Sequence, residues 1–370
     1  MRKQQNAFRQ TGSKNAIFDF SSNDYLGFSR NEKIFERSKE VIEQKQLFLN
    51  GATGSRLLSG NHELYAPAEE KIAAFHQTEA ALIFNSGYDA NLGLFGSVPQ
   101  RGDLIFYDEL VHASIRDGIS ISHAKAYKYR HNDLKDLEQK IRRFAENSEN
   151  ADVYVVTEAV FSMDGDTPDL VALIDLSKKL NFFLILDEAH SLGVLGENGK
   201  GAFENSGLKN DIFARLFTFG KALGAHGAAV VGSVELKDYL VNFARSFIYT
   251  TALPPHSVAT IAAAYEYLEE EAASEVEELK QNISFFKEKL QELELSKRFI
   301  PSNSAIQCCI IPGNEQVKQL SAVLQKNGFD VKPILSPTVA AGKERLRFCL
   351  HSFNTRSEIQ SALSLLSANL

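Results

Sequence analysis

A lone lysine among small residues, in Leu216-Phe217-Thr218-Phe219-Gly220-Lys221-Ala222-Leu223-Gly224-Ala225-His226-Gly227-Ala228-Ala229-Val230-Val231, is the group best placed for covalent chemistry. Apolar runs arrive and leave on either side, so Lys221 falls on a strand-end loop rather than a solvated helix face. Burial there strips water from the ammonium and lowers its pKa, and a neutral amine can attack a carbonyl to form a Schiff base. An ordinary loop lysine is the other reading of this stretch, and the stretch alone leaves both open. A second group of candidates, Asp187-Glu188-Ala189-His190, closes the apolar run Phe182 to Leu186. His112 follows the run Leu104 to Asp108, Asn23 sits in the turn Ser21-Ser22-Asn23-Asp24-Tyr25-Leu26-Gly27, and Arg347 alternates with apolar neighbours in Arg345 to Leu350. Asn23 reads equally as a plain turn residue, and Arg347 as an edge charge or a carboxylate clamp.

The elements that must position these side chains alternate along the chain. Apolar runs at Ala80 to Phe84, Leu104 to Asp108, Asp152 to Glu158 and Phe182 to Asp187 are separated by helical stretches such as Leu170 to Leu180. Near-continuous apolar strands of this kind make a mainly parallel sheet covered on both faces, and ligands gather at the carboxyl ends of such strands. His112, Ser162, Asp187, His190 and Lys221 all fall just past a strand's end. Ala80-Ala81-Leu82-Ile83-Phe84 also delivers Asn85-Ser86-Gly87-Tyr88 to the start of a helix, whose unpaired N–H groups suit an anion such as a phosphate. A long helix is expected from His256 through Leu293, leading to a smaller unit with strands at Ala305 to Ile311, Val331 to Ile334 and Arg345 to Leu350. Gly51 to His62 reads as a flexible Gly/Ser stretch.

Composition narrows the partners. At 370 residues the chain exceeds what one core normally supports, so a large domain and a smaller one are expected. A net charge of −7 argues against nucleic acid or an anionic membrane as main partner. No run approaches the length that crosses a bilayer and no leader-like apolar segment follows Met1, so a cytoplasmic small-molecule enzyme is expected. Cys308, Cys309 and Cys349 lie away from the candidate regions and lack metal-ligand spacing, so they read as buried thiols with no metal implied. Asp187 to His190 also spells the DEAH helicase box. That reading fails, because Gly51 to His62 lacks the Gly-Lys-Ser/Thr of a nucleotide-binding loop and the chain is acidic.

Joined to Lys221, Asp187 instead supplies what pyridoxal phosphate requires: a lysine for its aldehyde, an aspartate for its ring nitrogen, and N–H or hydroxyl donors for its phosphate. His112 could pack on the ring face and His190 could bond near the ring's 3-oxygen.

At this point the chain resembles a family. Ser21 to Gly27, Asn85 to Asn91, Val111-His112-Ala113-Ser114, Phe161-Ser162-Met163-Asp164-Gly165, Asp187 to Gly193 and Thr218-Phe219-Gly220-Lys221 are similar, in order and over nearly the whole chain, to the α-oxoamine synthases. The resemblance implies an α/β fold of the pyridoxal-phosphate-dependent transferase type (fold type I, aspartate-aminotransferase-like), with a large domain built on a mainly parallel sheet and a smaller α+β domain. It implies an N-terminal arm and part of the small domain over 1–45, the large cofactor domain over 46–270 and the C-terminal small domain over 271–370. Lys221 would be the Schiff-base lysine, Asp187 the partner of the ring nitrogen, and His112 the residue stacked on the ring. Ser162 and His190 would contact its oxygen side, and Gly87, Tyr88 and Thr218 would hold the cofactor. Thr250 or Thr251 would reach the phosphate from the neighbouring subunit of a homodimer with shared active sites. Arg347 with Asn23 would clamp the amino-acid carboxylate, Thr338 matches a substrate-contacting position, and Arg9 matches a substrate-binding arginine of the arm. Within the family, the Ser21 to Gly27 turn and the Gly-Ala-Ala-Val after the lysine most resemble the biotin-pathway branch. That branch joins L-alanine to a pimeloyl thioester of coenzyme A or acyl-carrier protein, giving 8-amino-7-oxononanoate, carbon dioxide and free thiol. Branches using glycine with acetyl or succinyl thioesters, or serine with a long acyl thioester, remain alternatives, as does a non-catalytic partner subunit of the same fold.

Overall fold

The computed structural model describes residues 17–145, 151–202 and 211–370, and twelve strands form among these described residues. In chain order they are β1 (Phe18–Asp19), β2 (Ala80–Phe84), β3 (Leu104–Asp108), β4 (Lys125–Tyr129), β5 (Val153–Glu158), β6 (Phe183–Asp187), β7 (Ala214–Thr218), β8 (Ala228–Gly232), β9 (Ile306–Ile310), β10 (Phe329–Asp330), β11 (Lys332–Ile334) and β12 (Arg345–Cys349). Two compact units divide them. One comprises the described part of Met1–Gly27 with Ser162–Asp166 and Ala273–Leu370, and the other Phe28–Phe161 with Thr167–Ala272.

The large unit is built on a seven-stranded sheet in the order β2-β8-β7-β6-β5-β3-β4. Its β3 to β7 pair in parallel, and β8 runs against both its neighbours. Successive side chains of a strand point to opposite faces, and here both faces are covered, which is why the strands read as unbroken apolar runs. On β3, Ile105 packs into the cluster holding Leu94, Phe95 and Ile115, whereas Leu104 and Phe106 join Leu137, Ile141, Leu173 and Ile174 on the other face. Each such fully buried side chain contributes about 1.5–3 kcal/mol. Only β4 escaped the apolar pattern. Lys125-Ala126-Tyr127-Lys128-Tyr129 lies at the sheet's edge, where lysines face solvent and blunt further pairing.

The smaller unit holds the antiparallel sheet β11-β12-β9 and the parallel pair β1-β10. Its last helix, Arg356–Ser367, starts at a capping box in which Thr355 and Glu358 satisfy each other's backbone N–H.

One expectation is corrected. The helix expected from His256 through Leu293 is two helices, Pro255–Glu270 and Ala273–Glu292. Neither Gly nor Pro marks the break. At the break Glu271 leaves helical geometry (φ −128°, ψ −20°), and the Glu270 and Glu271 carboxylates there pair with Arg37 and Lys33 on the helix Glu32–Gln44, with Lys33 Nζ 2.6 Å from Glu271. Gly51 to His62 is an irregular loop held at two points, with Leu57 and Leu58 left in solvent. Arg56 lies 3.8 Å above the Tyr65 ring and pairs with buried Glu69, and a Cβ on Gly60 would sit 2.1 Å from the Gly54 carbonyl oxygen.

Candidate active site

The chemistry-bearing residues of the large unit stand at the carboxyl ends of its strands. Asp187 is the final residue of β6 and is buried. Its Oδ1 accepts from the Ala189 N–H at 2.9 Å and its Oδ2 from the Asn91 side-chain amide at 3.0 Å, which together fix the carboxylate's direction. His112 caps the helix Ala113–Ile121, its Nδ1 accepting from the Ser114 N–H at 3.2 Å and lying 2.7 Å from Ser114 Oγ. Its own backbone N–H donates to Glu158 Oε1, at the end of β5, at 2.6 Å. Burial holds the His112 pKa below the ordinary value. Asp187 and Asp117 oppose that shift, and Lys221 and Arg116 add to it.

Lys221 is half-buried on the loop joining antiparallel neighbours β7 and β8. The loop is braced from within: Phe219 N–H donates to Gly227 O, Ala225 N–H to Phe219 O and Gly224 N–H to Lys221 O, each at 2.9 Å. Gly224, at φ +59°, lies so near the backbone of Ser29 that a Cβ would come within 2.1 Å of its nitrogen.

An anion cradle adjoins this loop. The helix Gly87–Ser97 is capped by Ser86, whose hydroxyl takes the Asp89 N–H and whose carbonyl takes that of Ala90. The N–H groups of Gly87 and Tyr88 have no partner among the described residues. A Cβ on Gly87 would meet Thr218 Oγ1 at 2.2 Å, so a hydroxyl at the end of β7 abuts the start of the helix. The Tyr88 side chain points elsewhere, donating its hydroxyl to Asp117, which raises its pKa. Asn85 donates to Thr251 O at 2.6 Å and Thr250 Oγ1 at 3.3 Å of this same chain. His190 is buried just beyond β6.

The smaller unit gathers Arg347, Asn23 and Ser162. From β12 the guanidinium donates through Nε to Ser162 O at 2.8 Å, through Nη1 to Cys349 Sγ at 2.8 Å and through Nη2 to Asn23 Oδ1 at 3.0 Å. The Tyr25 hydroxyl bonds the same Asn23 oxygen at 3.2 Å. Cys349 therefore belongs to this cluster, contrary to the expectation that the cysteines stand apart. Cys308, register partner of Arg347 on β9, has its thiol pushed up to about 12 by burial. Thr338 is exposed in the turn after β11. Arg9 lies outside the described residues.

Sequence reasoning missed Asn91, Ser114 and Glu158. Asn91 stands one helical turn beyond Gly87 and Glu158 ends its strand opposite Asp187, so position was the available signal. Glu188, by contrast, is structural. It is fully buried, pairs with Arg215 at 2.5 Å, and accepts from Ser191 Oγ and the Ala202 N–H.

Residues 15–366 match the aminotransferase class I and II family. The chain belongs to that family. Among curated proteins, the 8-amino-7-oxononanoate synthase of Emericella nidulans is 39% identical over 94% of this chain and 88% of its own length. That of Geotalea daltonii is 39% identical over 94% and 86%. Among solved structures, serine palmitoyltransferase from S. paucimobilis, with a bound PLP–myriocin aldimine, superposes with a TM-score of 0.88 at 29% identity, covering 95% of this chain and 86% of that one. The 8-amino-7-oxononanoate synthase of Francisella tularensis gives 0.77 at 32% identity, covering 95% and 97%.

This member of the aminotransferase class I and II family is a pyridoxal-phosphate enzyme of the α-oxoamine synthase type, with the fold type I architecture. Its own residues fit that cofactor. Paired N–H donors and a hydroxyl meet where only glycine fits, beside an oriented buried carboxylate and an amine on the adjoining loop. No helix among the described residues is long and apolar enough to cross a membrane.

Proposed function

We propose that the protein condenses L-alanine with a pimeloyl thioester, of coenzyme A or acyl-carrier protein, to give 8-amino-7-oxononanoate, carbon dioxide and free thiol in biotin synthesis. The observation that carries this reading is a glycine-only N–H cradle against the Thr218 hydroxyl, on the same helix whose Asn91 orients the buried Asp187 carboxylate, in a chain whose near-full-length relatives bear the name of that synthase. Pyridoxal phosphate, when bound, supplies a sink for the negative charge developing at the amino-acid Cα.

The chain's own residues do the rest. Lys221 Nζ would be the group that holds the cofactor's aldehyde and, when free and neutral, the general base for the amino-acid Cα proton. Asp187, its carboxylate oriented by Asn91 and Ala189, would pair with the cofactor's ring nitrogen and keep a proton there. His112 would stack on the cofactor ring, Ser162 and His190 would contact its oxygen side, and Gly87 and Tyr88 with Thr218 would hold the cofactor. Arg347 and Asn23 grip the substrate carboxylate so that the bond to be broken is held in one orientation. Thr338 and Arg9 contact the substrate.

The working form is a homodimer in which Thr250 or Thr251 reaches the phosphate of the neighbouring subunit, and its work is cytoplasmic. Supporting the dimer, large apolar side chains of the large unit are left in solvent: Leu58 is 85% exposed, Tyr249 74% and Phe48 71%. The deciding experiment assays thiol release by the purified protein with each pairing of alanine, glycine or serine and pimeloyl, acetyl, succinyl or palmitoyl thioester. Alanine with the pimeloyl thioester is the expected pair, and preference for any other rejects the assignment. Lys221→Ala should lose both turnover and the borohydride-reducible cofactor adduct; an adduct that survives the substitution removes Lys221 from its role.

A further inference from the structure

Four polar side chains link the two faces of the cofactor site, and their donors and acceptors can be arranged in only one way. A carboxylate only accepts, so the Asn91 side chain presents an N–H to Asp187 Oδ2 at 3.0 Å. The same nitrogen lies 3.0 Å from Ser114 Oγ and gives that oxygen its second N–H. Having accepted there, the Ser114 hydroxyl has its own hydrogen for His112 Nδ1, 2.7 Å away. The Ser114 backbone N–H, which can only donate, meets the same Nδ1 at 3.2 Å. Nδ1 must then carry a lone pair, and the proton of the neutral imidazole is on Nε2.

We propose that Asn91 and Ser114 are positioning residues that hold His112 in the neutral form protonated on Nε2 while orienting the Asp187 carboxylate. Helix packing fixes the arrangement. Asn91 belongs to the same helix, Gly87–Ser97, as the phosphate cradle, and Ser114 to Ala113–Ile121. At the crossing, a Cβ on Gly118 would come within 2.6 Å of the Asn91 carbonyl oxygen, so the two helices meet as closely as glycine allows. Asn91 is 2% exposed and Ser114 1%, which shuts out water as a substitute partner. The charged groups acting on His112 are Asp187 and Asp117 on one side and Lys221 and Arg116 on the other. Between them a neutral ring adds no charge of its own. The N–H cradle at Gly87, the Asp187 carboxylate and the His112 imidazole are thereby joined through Asn91 and Ser114. The benefit to the cofactor rests on the function proposed above; the tautomer does not.

Long-range nitrogen–proton NMR of the full-length protein with labelled histidine, with and without pyridoxal phosphate, reads the tautomer directly, His112 being assigned by its loss in His112→Gln. The expected result at pH 8 is Nε2–H in both forms. Ser114→Ala should shift the tautomer ratio about tenfold toward Nδ1–H, the worth of one hydrogen bond, and Ser114→Thr should restore it. Asn91→Leu should likewise shift it and weaken cofactor retention about 10- to 100-fold. Nδ1–H in the wild type, which requires no variant to fold, overturns the proposal. So does an Nε2–H signal unmoved by both Ser114→Ala and Asn91→Leu. The expected tautomer in a protein that fails to turn over alanine and pimeloyl thioester supports this inference while rejecting the reaction.

Discussion

Replacing Arg347 by lysine tests whether this guanidinium serves the substrate or only the fold. Arginine has five N–H donors, and the protein itself engages three of them, through Ser162 O, Cys349 Sγ and Asn23 Oδ1. No more than two remain for a carboxylate. Lysine keeps the charge but not the fork, so it cannot bond Asn23, Cys349 and a ligand carboxylate in fixed directions at once. Losing one charge-assisted hydrogen bond to the substrate costs about 1.5–3 kcal/mol, or about 10- to 100-fold in affinity. The assay is steady-state thiol release with either substrate varied. KM for L-alanine should rise by that factor, with KM for the thioester changed less than about twofold. A KM for alanine that stays at the wild-type value, accompanied by a lower thermal midpoint, would refute the clamp and leave Arg347 as a tie within the smaller unit.

Other perturbations probe the remaining structure. Gly87→Ala puts a methyl 2.2 Å from Thr218 Oγ1, so cofactor affinity by equilibrium dialysis should fall at least about tenfold; an unchanged affinity means the cradle lies elsewhere. Arg215→Met strands the Glu188 carboxylate in the core and should destabilise the protein by about 3–5 kcal/mol, seen as an earlier unfolding midpoint in urea. Burial pushes the pKa of His76 and His351 below the ordinary 6.5, so the unfolded chain binds more protons than the folded one between the two values. Stability is therefore fully present above pH 6.5 and declines as pH falls below it, and a thermal midpoint that rises between pH 7 and pH 5.5 contradicts this.

The large unit was legible because burial on both sides writes itself into composition: Leu104, Ile105 and Phe106 are all apolar since each face of their strand is covered. Where only one side is buried, as at Lys125 to Tyr129 on the sheet's edge, that signal vanishes. The division at Glu271 was invisible for another reason. Neither Gly nor Pro stands there, and the ion-pair partner of Glu271, Lys33, lies more than two hundred residues away in sequence, so periodicity carries no trace of the break. Among site residues, those bearing unusual chemistry at strand ends could be picked out by type and position. Asn91 and Ser114 could not, since an amide and a hydroxyl on helices are common everywhere and matter here only through whom they touch. Cys349 was set aside for the same reason: a single thiol says nothing until its neighbour proves to be a guanidinium.

Asp187 and His112 are launched from strands whose chains go on to wander through helices before returning. Lys221 is different: its loop turns straight back into the adjacent strand, anchored at both feet and propped against Ser29. In the role proposed above, an amine that releases and recaptures its partner would gain from a root held this firmly. Lengthening that loop by even one residue should therefore harm the closing half of the cycle more than the opening half.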